Sequence, residues 1–176
     1  MRFAPVATPV GTLTLVASDA GLRAVLFAGE AAPAGAVEGP HPVLDEAARQ
    51  LGEWFAGERT VFDLPLDVAS ATAFQRRAWL ALAEIPYGTT RSYGEQARTL
   101  GVPRAARAVG AANGRNPLSI VLPCHRLVAA DGSLTGFSGG LDVKRALLAH
   151  EAANAADAAA AGRSRTRTSR ARPPRT

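Results

Sequence analysis

Polar and apolar positions alternate over residues 12–17 (TLTLVA), and a second strand-like run follows at residues 22–27 (LRAVLF). The four residues between them, Ser18-Asp19-Ala20-Gly21, suit a turn, so the pattern predicts a β-hairpin. Residues 29–42 are rich in Ala, Gly and Pro and read as a loop. Val43, Leu44, Ala47, Ala48, Leu51, Trp54 and Phe55 then recur at helical spacing, with Pro42 suited to the first turn and Gly57 to the stop. An amphipathic helix against the hairpin is expected, followed by another strand over residues 61–66.

From residue 69 onward the pattern turns helical. Thr72 and Gln75 form a capping box ahead of the stripe Phe74, Ala78, Ala81, Leu82 and Ile85, which Pro86-Tyr87-Gly88 ends. A second box, Ser92 with Glu95, starts a helix over residues 93–100 that Gly101 stops. Pro103 is expected to open a further helix reaching Asn113-Gly114. Helix, three-residue turn, helix is the spacing of a helix-turn-helix unit. One side of its second helix carries almost nothing larger than Ala, while Arg104 and Arg107 project. Such a surface suits tight packing on a neighbouring helix or close approach to a nucleic-acid groove.

Residues 118–122 (LSIVL) read as a buried strand leading into Pro123-Cys124-His125-Arg126, and residues 135–140 (TGFSGG) as a loop. Asp142 is expected to cap a last helix from residue 143 to about 151, with Ala146, Leu147 and His150 on one side. Residues 152–161 extend that helix or fray, and the basic, apolar-poor residues 162–176 are expected to be disordered. The fold class is α/β: a small N-terminal α/β unit, hairpin plus helix, packed on a mostly helical C-terminal domain with a helix-turn-helix and an active-site loop. The domains fall at residues 1–68, 69–151 and a tail, 152–176.

Charge sharpens this division. Residues 1–69 hold four Arg against nine acids, a net −5, whereas residues 70–151 and 152–176 each carry +5. A polyanion bound on the second half fits that polarity, and so does an ordinary charged surface. No stretch approaches the roughly 20 apolar residues of a membrane span, and the N-terminus resembles no signal peptide. A soluble, cytoplasmic protein without membrane association is expected.

Cys124 is the one cysteine, so the chain can form no internal disulfide and no Cys-based zinc cluster. His41, His125 and His150 are too scattered to spell a metal site, and neither a metal nor a cofactor is expected. A lone cysteine is most often a small buried hydrophobe. Here His125 and Arg126 adjoin it and can lower a thiol pKa, the thiolate being the reactive form. On an extended strand, however, Cys124 and His125 would point to opposite faces, so a bend or a bridging water is needed for them to communicate.

The segment Asn116-Pro117-Leu118-Ser119-Ile120-Val121-Leu122-Pro123-Cys124-His125-Arg126 resembles the active-site signature of the O6-alkylguanine-DNA alkyltransferases, also called methylated-DNA-protein-cysteine methyltransferases. The resemblance extends through Ile85-Pro86-Tyr87-Gly88, Ser92-Tyr93, Ala105-Ala106-Arg107-Ala108-Val109-Gly110 and Ser138-Gly139-Gly140 to Leu147-Leu148-Ala149-His150-Glu151. It implies a stand-alone DNA repair protein, a monomer acting on double-stranded DNA, that moves an alkyl group from O6 of guanine onto Cys124 once and irreversibly. Transfer from O4-alkylthymine is left open.

The resemblance also implies roles. Cys124 is the acceptor, His125 a water-mediated base, and Glu151 the group that orients and charges that histidine. Arg107 fills the gap left by the extruded base, with Arg104 and Arg126 as further DNA contacts, and Tyr93 presses on the phosphate. Asn116 holds the helix-turn-helix against the active-site strand, while the Leu127 backbone, Phe137 and Ser138 contact the flipped base. Phe137 departs from the family pattern: many relatives carry a tyrosine there, and phenylalanine cannot donate a hydrogen bond to the leaving base.

The chemistry is consistent with these roles. An O6-alkyl carbon inside a base stack is unreachable, so the base must leave the helix at a cost of about a few kcal/mol. The thioether formed has no leaving group at neutral pH, which makes a single turnover expected. Three other readings remain: a non-catalytic damage-binding relative, which would lack the acceptor cysteine; a Cys/His/Glu hydrolase; and a plain helix-turn-helix regulator.

Overall fold

The computed structural model describes residues 1–168. Three antiparallel strands, β1 (Arg2–Thr8), β2 (Gly11–Ser18) and β3 (Gly21–Leu26), are joined by a short parallel strand, β4 (Val37–Glu38), in the order β3-β2-β1-β4. The predicted hairpin is the β2–β3 pair. β1 escaped the sequence reading because Pro5 interrupts it. Beyond Phe3 it has no partner on its outer side, which is where a sheet tolerates proline.

Leu13, Leu15 and Ala17 alternate onto one face of the sheet and are fully buried. α1 (Pro42–Phe55) covers that face with Leu44, Ala47, Leu51 and Trp54. His41 caps α1, its Nδ1 accepting from the Val43 N–H over 3.2 Å, and Pro42 occupies the first turn as expected.

No strand forms over residues 61–66, which contribute only a bridge between Leu66 and Leu22. The reason lies along the outer edge of β3. Its Leu22 bonds Pro65 and Asp67, but its Val25 N–H donates to the Pro117 carbonyl over 2.8 Å, so the second half of the chain takes the remaining edge.

α2 (Ala73–Leu80) begins at the Thr72/Gln75 box and tightens into a 3-10 turn over Ala81–Glu84. A two-residue strand, β5 (Arg91–Ser92), leads into α3 (Tyr93–Thr99), whose Ser92/Glu95 box is formed. Gly101 ends α3 with φ +74°. The Val102 N–H reaches Ala97 O and the Gly101 N–H reaches Arg98 O, both over 2.9 Å, which is the Schellman pattern.

Pro103 does not open the next helix. Residues 102–105 close their own turn through Ala105 N–H to Val102 O, 2.8 Å, and α4 (Ala106–Asn113) starts after it. Ala105 at the cap position offers no side-chain acceptor, so nothing holds the first turn further upstream. The packing use of the small-residue helix is realised on one side. Val109 and Ala112 pack with Ala78, Ala81, Ala97 and Leu100 where the three helices meet, while Arg104 and Arg107 stay exposed. Trp79 ties α2 to the end of α4 through Nε1–H to Ala112 O, 2.8 Å.

Residues 118–122 are buried but form a turn rather than the predicted strand. A short strand, β6 (Leu127–Val128), then pairs parallel with β5. α5 (Leu141–Thr168) starts ahead of Asp142, whose exposed carboxylate pairs with Arg145 instead of capping. Its buried face is Lys144, Leu147 and Glu151, and Ala146 is exposed. The alanine-rich run keeps α5 helical through Thr168, so residues 162–168 are helical where disorder was expected. Residues 169–176 lie outside the described part. Among the described residues no helix is long and apolar enough to cross a membrane.

Candidate active site

The turn that replaces the expected strand presents the cysteine. Asn116 closes it from both ends, its Oδ1 accepting from the Leu118 N–H over 3.0 Å and its Nδ2 donating to Leu122 O over 2.8 Å. Inside it the Leu122 N–H bonds Leu118 O at 2.7 Å, and Ile120 adopts φ +74°, a costly conformation for a β-branched residue. Asn116 thus holds the active-site turn itself.

Cys124 to Arg126 continue as a 3-10 turn, so Cys124 and His125 no longer alternate across a strand. Cys124 is 8 % exposed and reduced. Its Sγ lies 3.6 Å from Ser119 Oγ, which lies 3.4 Å from Ser138 Oγ. Burial pushes the thiol pKa up, against the lowering influence of Ser119, Asn116 and the Lys144 ammonium.

Behind it sits a fully buried cluster. His125 Nε2 is 2.9 Å from Glu151 Oε1, and Arg126 reaches the same carboxylate through Nη2 at 2.8 Å and Nε at 2.9 Å. The Gly88 N–H donates to Glu151 Oε2 over 3.0 Å, and Arg126 Nη1 donates to Ile85 O over 2.6 Å. Burial raises the Glu151 pKa, but the hydrogen bonds from His125 and Arg126 outweigh it and hold the carboxyl at about 2. An ionised carboxylate only accepts, so Nε2 must carry the imidazole proton and Nδ1 the lone pair. Nδ1 is buried and has no partner among the described residues.

Burial lowers the His125 pKa more than Glu151 raises it. Arg126 shares that carboxylate, and Glu151 orients the imidazole through Nε2. Arg126, expected at the DNA, is 5 % exposed and serves this cluster; that expectation is corrected. Its guanidinium also lies over the Tyr87 ring, 5.6 Å from the centroid.

On the open side, a cavity of about 620 Å³ is lined by Tyr93, Arg107, Gly110, Gly114, Phe137 and Ser138, among others. A smaller space of about 10 Å³ at Cys124 shares Tyr93, Gly114, Phe137 and Ser138 with it. The Tyr93 hydroxyl accepts from Thr135 Oγ1 over 3.3 Å. Arg107 stands exposed at this opening, Arg104 is exposed on the turn before α4, Phe137 is half-buried in the cavity wall, and Leu127 is buried in β6.

Two residues near the sulfur were missed in the sequence. Ser119 was read as part of a strand. Lys144 has a fully buried side chain whose Nζ donates to Thr135 O over 2.8 Å. Its spacing from Glu151 on α5, seven residues, was the available signal, but a charged residue on a helix normally reads as solvated. Among the described residues no group of three or more His, Cys, Asp or Glu side chains is placed to hold a metal.

A family model described as the 6-O-methylguanine DNA methyltransferase DNA-binding domain matches residues 73–153, and its ribonuclease-like domain matches residues 1–68. The methylated-DNA-protein-cysteine methyltransferase of Mycolicibacterium paratuberculosis is 51% identical over 154 residues, 86% of this chain and 92% of that one. The protein of the same name from Methanosarcina acetivorans is 45% identical over 84% of this chain and 96% of its own. Among solved structures, Mycobacterium tuberculosis OGT in complex with DNA aligns with a TM-score of 0.82 at 44% identity, covering 88% of this chain and 94% of that one. With the two family models covering nearly the whole described globule and relatives this close, the chain belongs to the 6-O-methylguanine DNA methyltransferase family.

Proposed function

We propose that this chain repairs double-stranded DNA as a cytoplasmic monomer, by moving the alkyl group of an O6-alkylguanine onto Cys124. The observation that carries the residue assignment is the ordered pair behind the sulfur. Glu151 fixes His125 with its lone pair on Nδ1, a buried base beside the one buried thiol.

The duplex would dock on α3 and α4, with Arg104 and Arg107 at its surface and the Arg107 side chain occupying the place of the extruded base. The flipped base would enter the 620 Å³ cavity, between Tyr93 and Phe137, with Ser138 and the Leu127 backbone at its edges. His125 takes the thiol proton through one water. The sulfur electron pair forms a bond to the alkyl carbon as the carbon–O6 bond breaks, and guanine leaves with that electron pair and a proton. Lys144 and the Ser119 hydroxyl favour the thiolate while it exists. The thioether product cannot reverse, and the chain has no second cysteine to accept the group. O4-alkylthymine presents the same carbon–oxygen bond and is a second substrate to test.

Intact-protein mass spectrometry after incubation with O6-methylguanine duplex tests the reading. A gain of the mass of one CH2, about 14 Da, on the peptide holding Cys124 is expected, and none in Cys124→Ser, whose hydroxyl is a far weaker nucleophile. An unmodified protein, or an adduct elsewhere, would overturn the assignment.

A further inference from the structure

The N-terminal half packs one aromatic side chain, Phe27, against the wall of the acceptor pocket. Phe27 follows β3, is 5 % exposed, and is fixed by its own turn: its N–H donates to Glu30 Oε2 over 2.6 Å, and the Glu30 N–H returns to Phe27 O over 3.1 Å. The Phe27 ring meets the Phe137 ring edge to face, centroids 5.3 Å apart at 64°. It also lies so close to the Gly139 backbone that a Cβ at residue 139 would come within 2.8 Å of it. Phe137 in turn lies 6.5 Å from the His125 ring and lines the narrow space at Cys124. Phe27 therefore packs against Phe137, the ring that neighbours His125, while Gly139 closes against it.

That space is tight, about 10 Å³. A methyl group demands the least of it. A benzyl group is several times larger and needs Phe137 to shift, and Phe137 is packed edge to face against the buried Phe27. We propose that Phe27 is a specificity-determining residue that acts through Phe137, bracing it over Cys124 so that the acceptor space favours a methyl group over bulkier alkyl groups. This rests on the assignment of Cys124 as acceptor. The observation behind it is independent of that chemistry: a buried aromatic from the N-terminal unit is packed against a ring that lines the narrow space at Cys124.

The test compares second-order transfer rates from duplex O6-methylguanine and duplex O6-benzylguanine in wild type, Phe27→Leu and Phe27→Ala, with thermal melting of each. Using one DNA context for both lesions cancels effects on docking and base extrusion. The benzyl-to-methyl rate ratio should rise about tenfold in Phe27→Ala and by a smaller factor in Phe27→Leu, the scale on which pockets resolve small differences in bulk. In a Phe137→Leu background the Phe27 substitution should change the ratio little, because the residue through which it acts is gone.

Phe27→Leu keeps most of the buried volume and decides the matter should Phe27→Ala fail to fold. An unchanged ratio in folded Phe27→Leu, both rates falling together, would overturn the proposal and leave Phe27 a plain core residue. An undiminished effect in the Phe137→Leu background would overturn the route through Phe137. Failure of the wild type to take up methyl on Cys124 would instead overturn the functional reading beneath it.

Discussion

His125 and Glu151, 26 positions apart in the sequence, meet at 2.9 Å with neither side chain exposed, and Arg126 closes the other side of the same carboxylate. Replacing Glu151 with Gln leaves the Arg126 charge buried without its partner. Breaking a buried ion pair costs about 3–5 kcal/mol, so the unfolding midpoint in urea should fall clearly. Alkyl transfer should slow as well, because an amide can present a donor to Nε2 and release the imidazole from its tautomer. A variant as stable as wild type would mean the cluster contributes nothing net to folding.

Below neutrality, stability should depend on pH in one direction. His125 has a folded pKa below its ordinary 6.5, and Glu151 one of about 2 against an ordinary 4.5. Each therefore binds protons more readily in the unfolded chain, and stability rises with pH. The His125 share is complete above its ordinary pKa and is lost as pH falls from there through the folded value. The Glu151 share is complete above its ordinary pKa and is lost as pH falls toward about 2. Asp67, lowered by Ser18 and Arg23 despite its burial, adds to the acid side. Melting temperature should be nearly flat just above neutrality and fall steadily on acidification; a rise between about pH 6 and pH 4 would contradict the linkage.

Arg107→Ala should slow repair of duplex DNA far more than reaction with free O6-benzylguanine. Only the duplex must surrender a stacked base, which costs about a few kcal/mol, and each 1.4 kcal/mol or so left uncompensated is about tenfold in rate. Single-turnover rates on both substrates separate the cases. Equal slowing would place Arg107 in general docking or in the fold.

Phe137→Tyr should accelerate transfer where protonation of the departing guanine is limiting. The ring lines the pocket beside Ser138, and a phenol donates where phenylalanine has nothing to give. A gain of about tenfold or more is the scale of a well-placed acid. An unchanged or slower rate would show that another group, such as Ser138, already supplies the proton.

Much of this molecule was legible as local pattern. The hairpin, the amphipathic helix after it and both capping boxes follow from periodicity and from side chains that bond backbone two or three residues away. Such interactions need no distant partner. The PCHR block and its resemblance likewise located Cys124, His125 and Glu151 in the sequence.

What the tertiary structure decided concerns groups whose partners are remote. Residues 118–122 have the composition of a buried strand, yet Asn116 bonds both ends of the segment and folds it into a turn with Ile120 at positive φ. Arg126 reads as a surface cation until Glu151, from the last helix, supplies the charge that makes its burial tolerable. Lys144 reads as one more solvated residue until Thr135 and the thiol pocket surround it. Phe27 reads only as the end of a strand; its contact with Phe137 exists because β3 lends its edge to Pro117 and draws the two halves together. Sequence determines which backbone states and which chemistry are available, because those preferences act over a few residues. Which buried charge is neutralised, and which ring narrows which pocket, depends on contacts between residues far apart in the chain, and only the packed fold sets them.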